Sequence, residues 1–522
     1  MKKIFILIIT MFLLFNGFSQ HQNIKISNKN YPNEPSIAMN PLNTNELVAG
    51  YNIYNCCYST DGGLTWEHTI LSSTYGVWGD PCIIADNNGD FYFFHLSNPS
   101  EGSWIDRIVC QKTSDVGQTW NNGSFTGLNG YKAQDKEWAV VDRSNNNIYV
   151  TWTQFDQYGS SDTSKYTNIM FSKSVDNGET WTNAIRINEI SGDCIDDDNT
   201  VEGAVPTIGT NGEIYVSWAG PEGIVFDKSL DYGETWLDND IFVSDIPGGW
   251  AINIPGIFRC NGMPVTCCDT SGGVFNGTIY INWSDQRNGT NNTDIWLSKS
   301  TDNGNTWSEP LKINNDNSGK HQFFTWMTID QVTGYLYFVF YDRRNYDDSK
   351  TDVYMAVSKD GGETFINFKI SESPFIPDPN VFFGDYNNIV AHNNVICPVW
   401  TRFGTTYDYD MGLSIWTAII DINAVGIDNE IAIPFSVEQN YPNPFTASTY
   451  FSFKLYETTE ISLKVFDIYA REVATVINNK ILPPGKYVES FYAKNNNISS
   501  GVYYFLFSTP QKTITKKMIY IK

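Results

Sequence analysis

The sequence predicts an all-β chain: a ring of four-stranded sheets, a β-propeller of seven blades with six as the alternative, followed by a small β-sandwich. Three observations predict it. An eight-residue turn motif occurs six times between residues 59 and 365. Each copy is flanked by short runs rich in Val, Ile, Tyr and Trp that Asn/Asp/Gly turns separate, the pattern of strands. Little of the chain has helical period.

The motif reads STDGGLTW (59–66), TSDVGQTW (113–120), SVDNGETW (174–181), SLDYGETW (229–236), STDNGNTW (300–307) and SKDGGETF (358–365). A hydroxyl, Asp, Gly, Thr and an aromatic stand at fixed offsets. Glycine takes positive φ, the carboxylates of Asp61, Asp115, Asp176, Asp231, Asp302 and Asp360 accept hydrogen bonds from turn amides, and the aromatic is expected to pack back onto its sheet. A spacing of about 60 residues suits one blade plus loops. On these residues the chain resembles the Asp-box, or bacterial neuraminidase repeat, members of the sialidase-like propeller superfamily.

Residues 138–188 show the unit: WAVVD, a turn at RSNNN, IYVTWTQF, a polar loop, NIMFSKS, the box and AIRIN. Four antiparallel strands follow, with the box in the turn between the third and fourth. After the sixth box, NNIVAHNN (387–394), VICPVWTRF (395–403) and MGLSIWTAII (411–420) read as three strands without a box or a fourth strand. NIKIS (23–27) has the pattern of the fourth strands PLKIN (310–314) and NFKIS (367–371), so the N-terminal strand is expected to close the ring and remove an open edge.

The expected domains are a signal peptide over 1–19, the propeller over 20–425, a linker over 426–434 and a tail domain over 435–522. Lys2 and Lys3 before the apolar run 4–15, with small Gly17 and Ser19 ahead of Gln20, read as a secretory leader. No later apolar run approaches the roughly 20 residues of a membrane-spanning helix. In the tail, QNYPNPF (439–445), ISLKVFDIYAREVA (461–474), LPPGKYVESF (482–491), SSGVYYFLF (499–507) and TKKMIYIK (515–522) resemble the C-terminal sorting domain of the type IX secretion system. That resemblance implies a Bacteroidota-type bacterium, the secretion machinery as partner, and release or attachment at the outer-membrane surface.

Charge narrows the partners further. Between leader and tail the chain holds 22 basic against 52 acidic residues, a surface that repels nucleic acid and anionic membranes. Nine cysteines, at 56, 57, 82, 110, 194, 260, 267, 268 and 397, meet oxidising conditions after export, so some are expected to pair. The doublets Cys56-Cys57 and Cys267-Cys268 lack the spacing of a zinc site, and no metal or other cofactor is expected there. The acidic run DCIDDDN (193–199) offers oxygens that could take calcium, against the reading of a solvated loop.

Boxes mark one end of each blade, so the long polar loops of the opposite end are the place to seek chemistry. That end carries Asp80; Asp135, Lys136 and Glu137; Asp193, Asp196–Asp198 and Glu202; Arg259; Arg287; His321, read as structural; Arg343; Asp385 and Tyr386; and Arg402. Glycoside hydrolysis requires paired carboxyl groups, or a tyrosine nucleophile in the sialidase variant. Asp80, Glu202, Asp385 and Tyr386 are the catalytic candidates. The resemblance implies three arginines on a substrate carboxylate, and Arg287, Arg343 and Arg402, each after the second strand of its blade, are the candidates. The alternative is that SDQR (284–287) and YDRR (341–344) brace loops as repeated ion pairs. Where sialidases carry Arg-Ile-Pro in the first blade, this chain has NEPSI (33–37). Two functions follow: a secreted or cell-surface exo-glycosidase acting on extracellular glycans or glycoproteins, or a surface propeller that binds glycan or protein without chemistry, which the missing arginine favours.

Overall fold

The structure is a computed structural model that describes residues 21–404, 412–420, 422, 435–455, 458–469, 471–496, 498–509 and 513–522. The expected leader and linker lie outside the described residues. The chain divides into two compact units, Met1–Val425 and Gly426–Lys522. Among its described residues the regular elements of the first are all β-strands. Among the described residues of the second, the one helical segment is a 3-10 turn, Ala493–Asn496, and no helix is long and apolar enough to cross a membrane.

The first unit holds seven four-stranded antiparallel sheets. Six are meanders, spanning 36–70, 82–126, 133–186, 202–244, 265–312 and 322–369, each with its strands in sequence order. The last joins Asn388–His392, Val395–Phe403 and Leu413–Ile419 to the strand read from NIKIS, Gln22–Ser27, through Gln22↔Ile419 to Ser27↔Ile415. First strands contact one another in a closed cycle, the one from Ser36 meeting both the one from Cys82 and the one from Asn388. Second strands are buried along almost their whole length, and Trp152, Trp218, Trp283 and Trp400 on them are fully enclosed. Such strands lie between sheets on both faces, so their runs are continuously apolar rather than alternating.

The six boxes repeat one hydrogen-bond set. In the fifth, Asp302 Oδ1 accepts from Ser300 Oγ at 2.8 Å and the Thr306 amide at 2.9 Å, Oδ2 accepts from Thr306 Oγ1 at 2.7 Å, and the Gly304 amide donates to Ser300 Oγ. Asp61, Asp115, Asp176, Asp231 and Asp360 are held in the same way.

At the aromatic the expectation holds for Trp120 and Phe365, which meet Phe93 and Phe338 of their own sheets, and differs at three others. Trp181, Trp236 and Trp307 stack edge-on against Phe94, Phe171 and Phe226, which belong to the preceding sheet. A Cβ on Gly233 or Gly304 would lie 2.4 Å from Phe171 or 2.3 Å from Phe226. Lysines add a tie: Lys173 Nζ donates at 2.7 Å to Tyr232 O and to Glu234 of the next box, and Lys228 and Lys299 do the same one sheet on. The box therefore joins neighbouring sheets as well as closing its own turn.

The cysteines correct an expectation. All nine are free thiols, eight buried and Cys267 half-buried. They are spread through several cores, Cys57 and Cys397 sharing one, and the doublets point adjacent side chains to opposite faces of a strand. Burial raises the thiols, Cys56 to about 12, and they serve as small apolar side chains.

In the second unit, a three-stranded sheet (Phe435–Val437, Ser448–Leu455, Gly485–Tyr492) and a four-stranded sheet (Glu472–Leu482, Thr459–Asp467, Gly501–Ser508, Thr513–Tyr520) share one core. Phe451 meets Phe505 at 4.7 Å, and Phe453 meets Phe507 at 4.8 Å.

Candidate functional site

The site is built at the entrance to the first strands, at the end of the sheets opposite the boxes. Two residues before Ser36, Cys82, Trp138, Val205 and Trp326 the backbone turns left-handed, at Glu34 (φ 53°), Asp80 (49°), Lys136 (54°), Gly203 (73°) and Phe324 (48°). In three sheets this coincides with a register shift: Asp135/Trp138, Glu202/Val205 and Phe323/Trp326. A bulge re-aims the side chain it carries. A left-handed non-glycine residue costs about 1–2 kcal/mol, and such residues persist where the surroundings over-determine them. Tyr31, Ile105 and Asp196, also left-handed, complete the group.

Glu34, Asp80, Asp135, Lys136 and Arg259 line one cavity of about 280 Å³. Its apolar wall is Trp78, Trp104, Tyr158 and Phe382. Trp104 meets Trp78 edge-on at 6.3 Å and Tyr158 at 5.5 Å, while Arg259 lies over Phe382. Trp78 and Trp104 are 39% and 45% exposed, unusually open for tryptophan. On the axis, Trp138 packs on Trp326 at 4.4 Å and on Tyr386 at 5.0 Å. A second cavity, about 600 Å³, is lined by residues of all seven first strands, including Trp138 and Trp326.

One buried carboxylate organises the cations. Asp385 Oδ2 accepts from Lys136 Nζ at 2.7 Å and from Arg259 Nη2, while Oδ1 accepts from Arg259 Nε at 2.9 Å. Burial alone would push the Asp385 carboxyl up, but the Lys136 and Arg259 charges outweigh it and hold the group at about 2. Arg259 reaches on to Asp196 Oδ2 at 3.3 Å, where Tyr158 Oη donates at 2.5 Å.

The other carboxyls go the opposite way. Burial, with the Asp80 and Asp196 charges added and Lys136 opposing, raises Asp135 to about 8, and its carboxyl shares a hydrogen bond with Asp80. Burial, then Asp80 and Asp385, raises Glu34 well above the carboxylate range, and Asn52 Nδ2 donates to it. Burial and Asp80 raise Glu137, and burial and Asp196 raise Glu202. As an anion Glu202 would have no donor; as a neutral acid it donates to Asp196. The site thus holds protonated and ionised carboxyls side by side, the arrangement that divides acid from base roles.

Of the four catalytic candidates, Asp80 lines the cavity. Asp385 lies behind it in the ion pair, Glu202 is wholly buried against Asp196, and Tyr386 is packed between Trp138 and Trp326. Burial and then the Asp80 and Glu34 charges raise the Tyr386 phenol well above its ordinary value, which opposes a phenolate. The three candidate arginines do not converge on this cavity. Arg287 chelates Asp285 between Trp283 and Trp296; Arg343 donates to Thr351 Oγ1 and Pro255 O; Arg402 donates to Ser373 Oγ and lies over Trp416. Arg344 on Asp342 and over Tyr354 repeats the Arg287 brace.

In the acidic run, Asp193 accepts from Thr200 Oγ1 and Asp198 from the Ala251 amide, so these carboxylates serve separate turns. Among the described residues no three acidic, His or Cys side chains gather as a metal site. His321 bonds Thr293 Oγ1 through Nδ1 at 3.0 Å, and burial lowers it to about 4. Glu34, Asn52, Trp78 and Trp104 were not singled out from sequence. The signal was a charged residue two positions before a first strand, as in NEPSI, GDPCI and DKEWA.

Residues 439–522 match the secretion system C-terminal sorting domain, and residues 58–68 match the BNR/Asp-box repeat. No curated protein sequence matches the chain. Similar solved structures include the Hadza microbial sialidase Hz136, at 14% identity over 73% of this chain and 74% of that one with a TM-score of 0.41. Another is the NanB sialidase from Streptococcus pneumoniae, at 10% over 73% and 83% with a TM-score of 0.42. A third is the alpha-L-arabinanase of Penicillium chrysogenum complexed with arabinobiose, at 12% over 76% and 97% with a TM-score of 0.40. The chain thus carries an Asp-box repeat and a type IX secretion C-terminal sorting domain, which makes the protein secreted or held at the outer-membrane surface.

Proposed function

We propose that the seven sheets form a seven-bladed propeller, that the tail is a β-sandwich, and that the cavity over the axis acts on extracellular glycans as a glycoside hydrolase. The observation that carries this reading is the Asp80–Asp135 carboxyl pair beside the open faces of Trp78 and Trp104. Aromatic faces give a sugar ring an apolar floor, and convergent polar groups fix its hydroxyls. Asp135, protonated to about pH 8, is the proton donor to the glycosidic oxygen. Asp80 faces the positive charge that develops on the ring, water bonds the anomeric carbon as the leaving oxygen departs with the Asp135 proton, and the proton lost by that water returns to Asp135. Lys136, Arg259 and Asp385 hold the two acids in place. The experiment is turnover of a broad panel of aryl glycosides and oligosaccharides by the full chain and by D80N. Turnover that D80N abolishes supports the reading, and an inert wild type removes it.

A second reading is a glycan-binding module without chemistry. It is favoured by the Lys136–Asp385–Arg259 network, which leaves no cation of the cavity unpaired. Saturable glycan binding with no turnover is its expected result.

A further inference from the structure

Resting on the glycan reading above, we infer that the cavity takes a terminal sugar without a carboxylate, a neutral ring recognised through its hydroxyls, and excludes anionic sugars such as sialic acid. The first support is the state of the cations. Lys136 and Arg259 are the two basic residues of the cavity lining, and Asp385 engages both. Arg259 spends its remaining reach on Asp196, and Lys136 Nζ lies 4.0 Å from Asp80 Oδ2. A ligand carboxylate would have to displace these partners to find a donor, and its lost hydration would go unreplaced.

The sign of the local charge is the second support. Glu34, Asp80, Asp135, Asp196 and Asp385 surround two cations. With Glu34 and Asp135 counted as neutral acids, three carboxylates still face two positive charges. An anion enters such a site against the field, and like charges brought together select against the wrong partner.

The polar atoms on offer are the third. Asp80 presents acceptor oxygens, and the neutral Asp135 and Glu34 each offer an acceptor oxygen beside their proton, a set that suits sugar hydroxyls. Trp78 and Trp104 need only an apolar ring face, which neutral sugars provide.

The test compares matched oligosaccharide pairs that differ only in a terminal sialic acid, bound to the full chain and followed by tryptophan fluorescence and calorimetry. The expected result is binding of the neutral member at least about tenfold tighter in every pair that binds. Equal or tighter binding of the sialylated member overturns the inference and leaves the glycan reading standing. Binding of neither member in any pair overturns both. Asp385→Asn supplies a second arm, because it frees Lys136 and Arg259. The sialylated members are expected to gain at least about tenfold relative to the neutral ones. An unchanged ratio in folded D385N, checked by circular dichroism, counts against the inference.

Discussion

Lys136 and Asp385 form a 2.7 Å ion pair between side chains that are 5% and 1% exposed, across 249 positions of sequence. It joins the third sheet to the loop before the last and fixes the floor of the cavity. Removing one partner of a buried pair leaves the other charge uncompensated, at a cost of about 3–5 kcal/mol. D385N, which leaves Lys136 only Asp80 at 4.0 Å and Arg259 only Asp196 at 3.3 Å, is expected to lower stability by up to that amount in urea unfolding. K136M should cost less, since Arg259 still holds Asp385. Equal, small losses in both would show that the network does not hold the floor.

The dependence of stability on pH should have two limbs. Asp385, held at about 2, contributes stability that is present above the unfolded value near 4 and lost as pH falls through 2. Asp135 (about 8), Asp227 (about 7) and Asp240 (about 8) are raised mainly by burial, so their contribution is present below pH 4 and lost as pH rises through 7 to 8. The urea midpoint is therefore expected to be higher at pH 5 than at pH 8.5. D227N, neutral throughout, should flatten that decline, and a midpoint that rises steadily to pH 8.5 would refute the assignment.

Gly304 distinguishes the inter-sheet joint from an ordinary turn. Its φ is +79° and an added Cβ would lie 2.3 Å from Phe226, whereas Gly159, with φ +70°, has open space. G159A should lose about 1 kcal/mol from backbone strain alone. G304A should lose about 1–3 kcal/mol more through overpacking. Equal losses in denaturant titrations would mean that the box bears no load between sheets.

The boxes were legible because each is contiguous: five residue types within eight positions encode one turn. The strands were legible from composition, and the pattern of NIKIS pointed to the partner of Leu413–Ile419. The site is different in kind. Glu34, Asp80, Lys136 and Asp385 come from the entrances of four sheets; the first three are left-handed, which no local composition demands outside glycine, and Asp385 follows left-handed Gly384. Arginine after a second strand recurs, but the equivalent of Arg287 in SDQR is Arg344 of YDRR, and those two repeat one brace, on Trp296 and Tyr354, while Arg343 bonds Thr351 and Pro255. Sequence gives no distance to the preceding sheet, so the cross-sheet packing of Trp181, Trp236 and Trp307 was not legible, whereas Trp120 and Phe365 pack on their own sheets.

Trp78 and Trp104 bear on recognition separately from stability. Both are substantially exposed, so alanine at either should move the unfolding midpoint little, within about 0.5 kcal/mol. Glycan affinity should fall by about tenfold or more, as for aromatic anchors at binding sites. Unchanged affinity in the double variant would place the sugar elsewhere.

The central claim is that Asp135, kept protonated beside Asp80, performs acid catalysis on a glycan in the cavity. The most direct measurement is the pH profile of kcat/KM for the best substrate of a neutral glycan panel, on the full chain and on D135N. Activity is expected to persist to about pH 8, to fall above it, and to drop by about 10²–10⁴-fold in D135N. Activity in D135N equal to wild type, with the same pH profile, would contradict it.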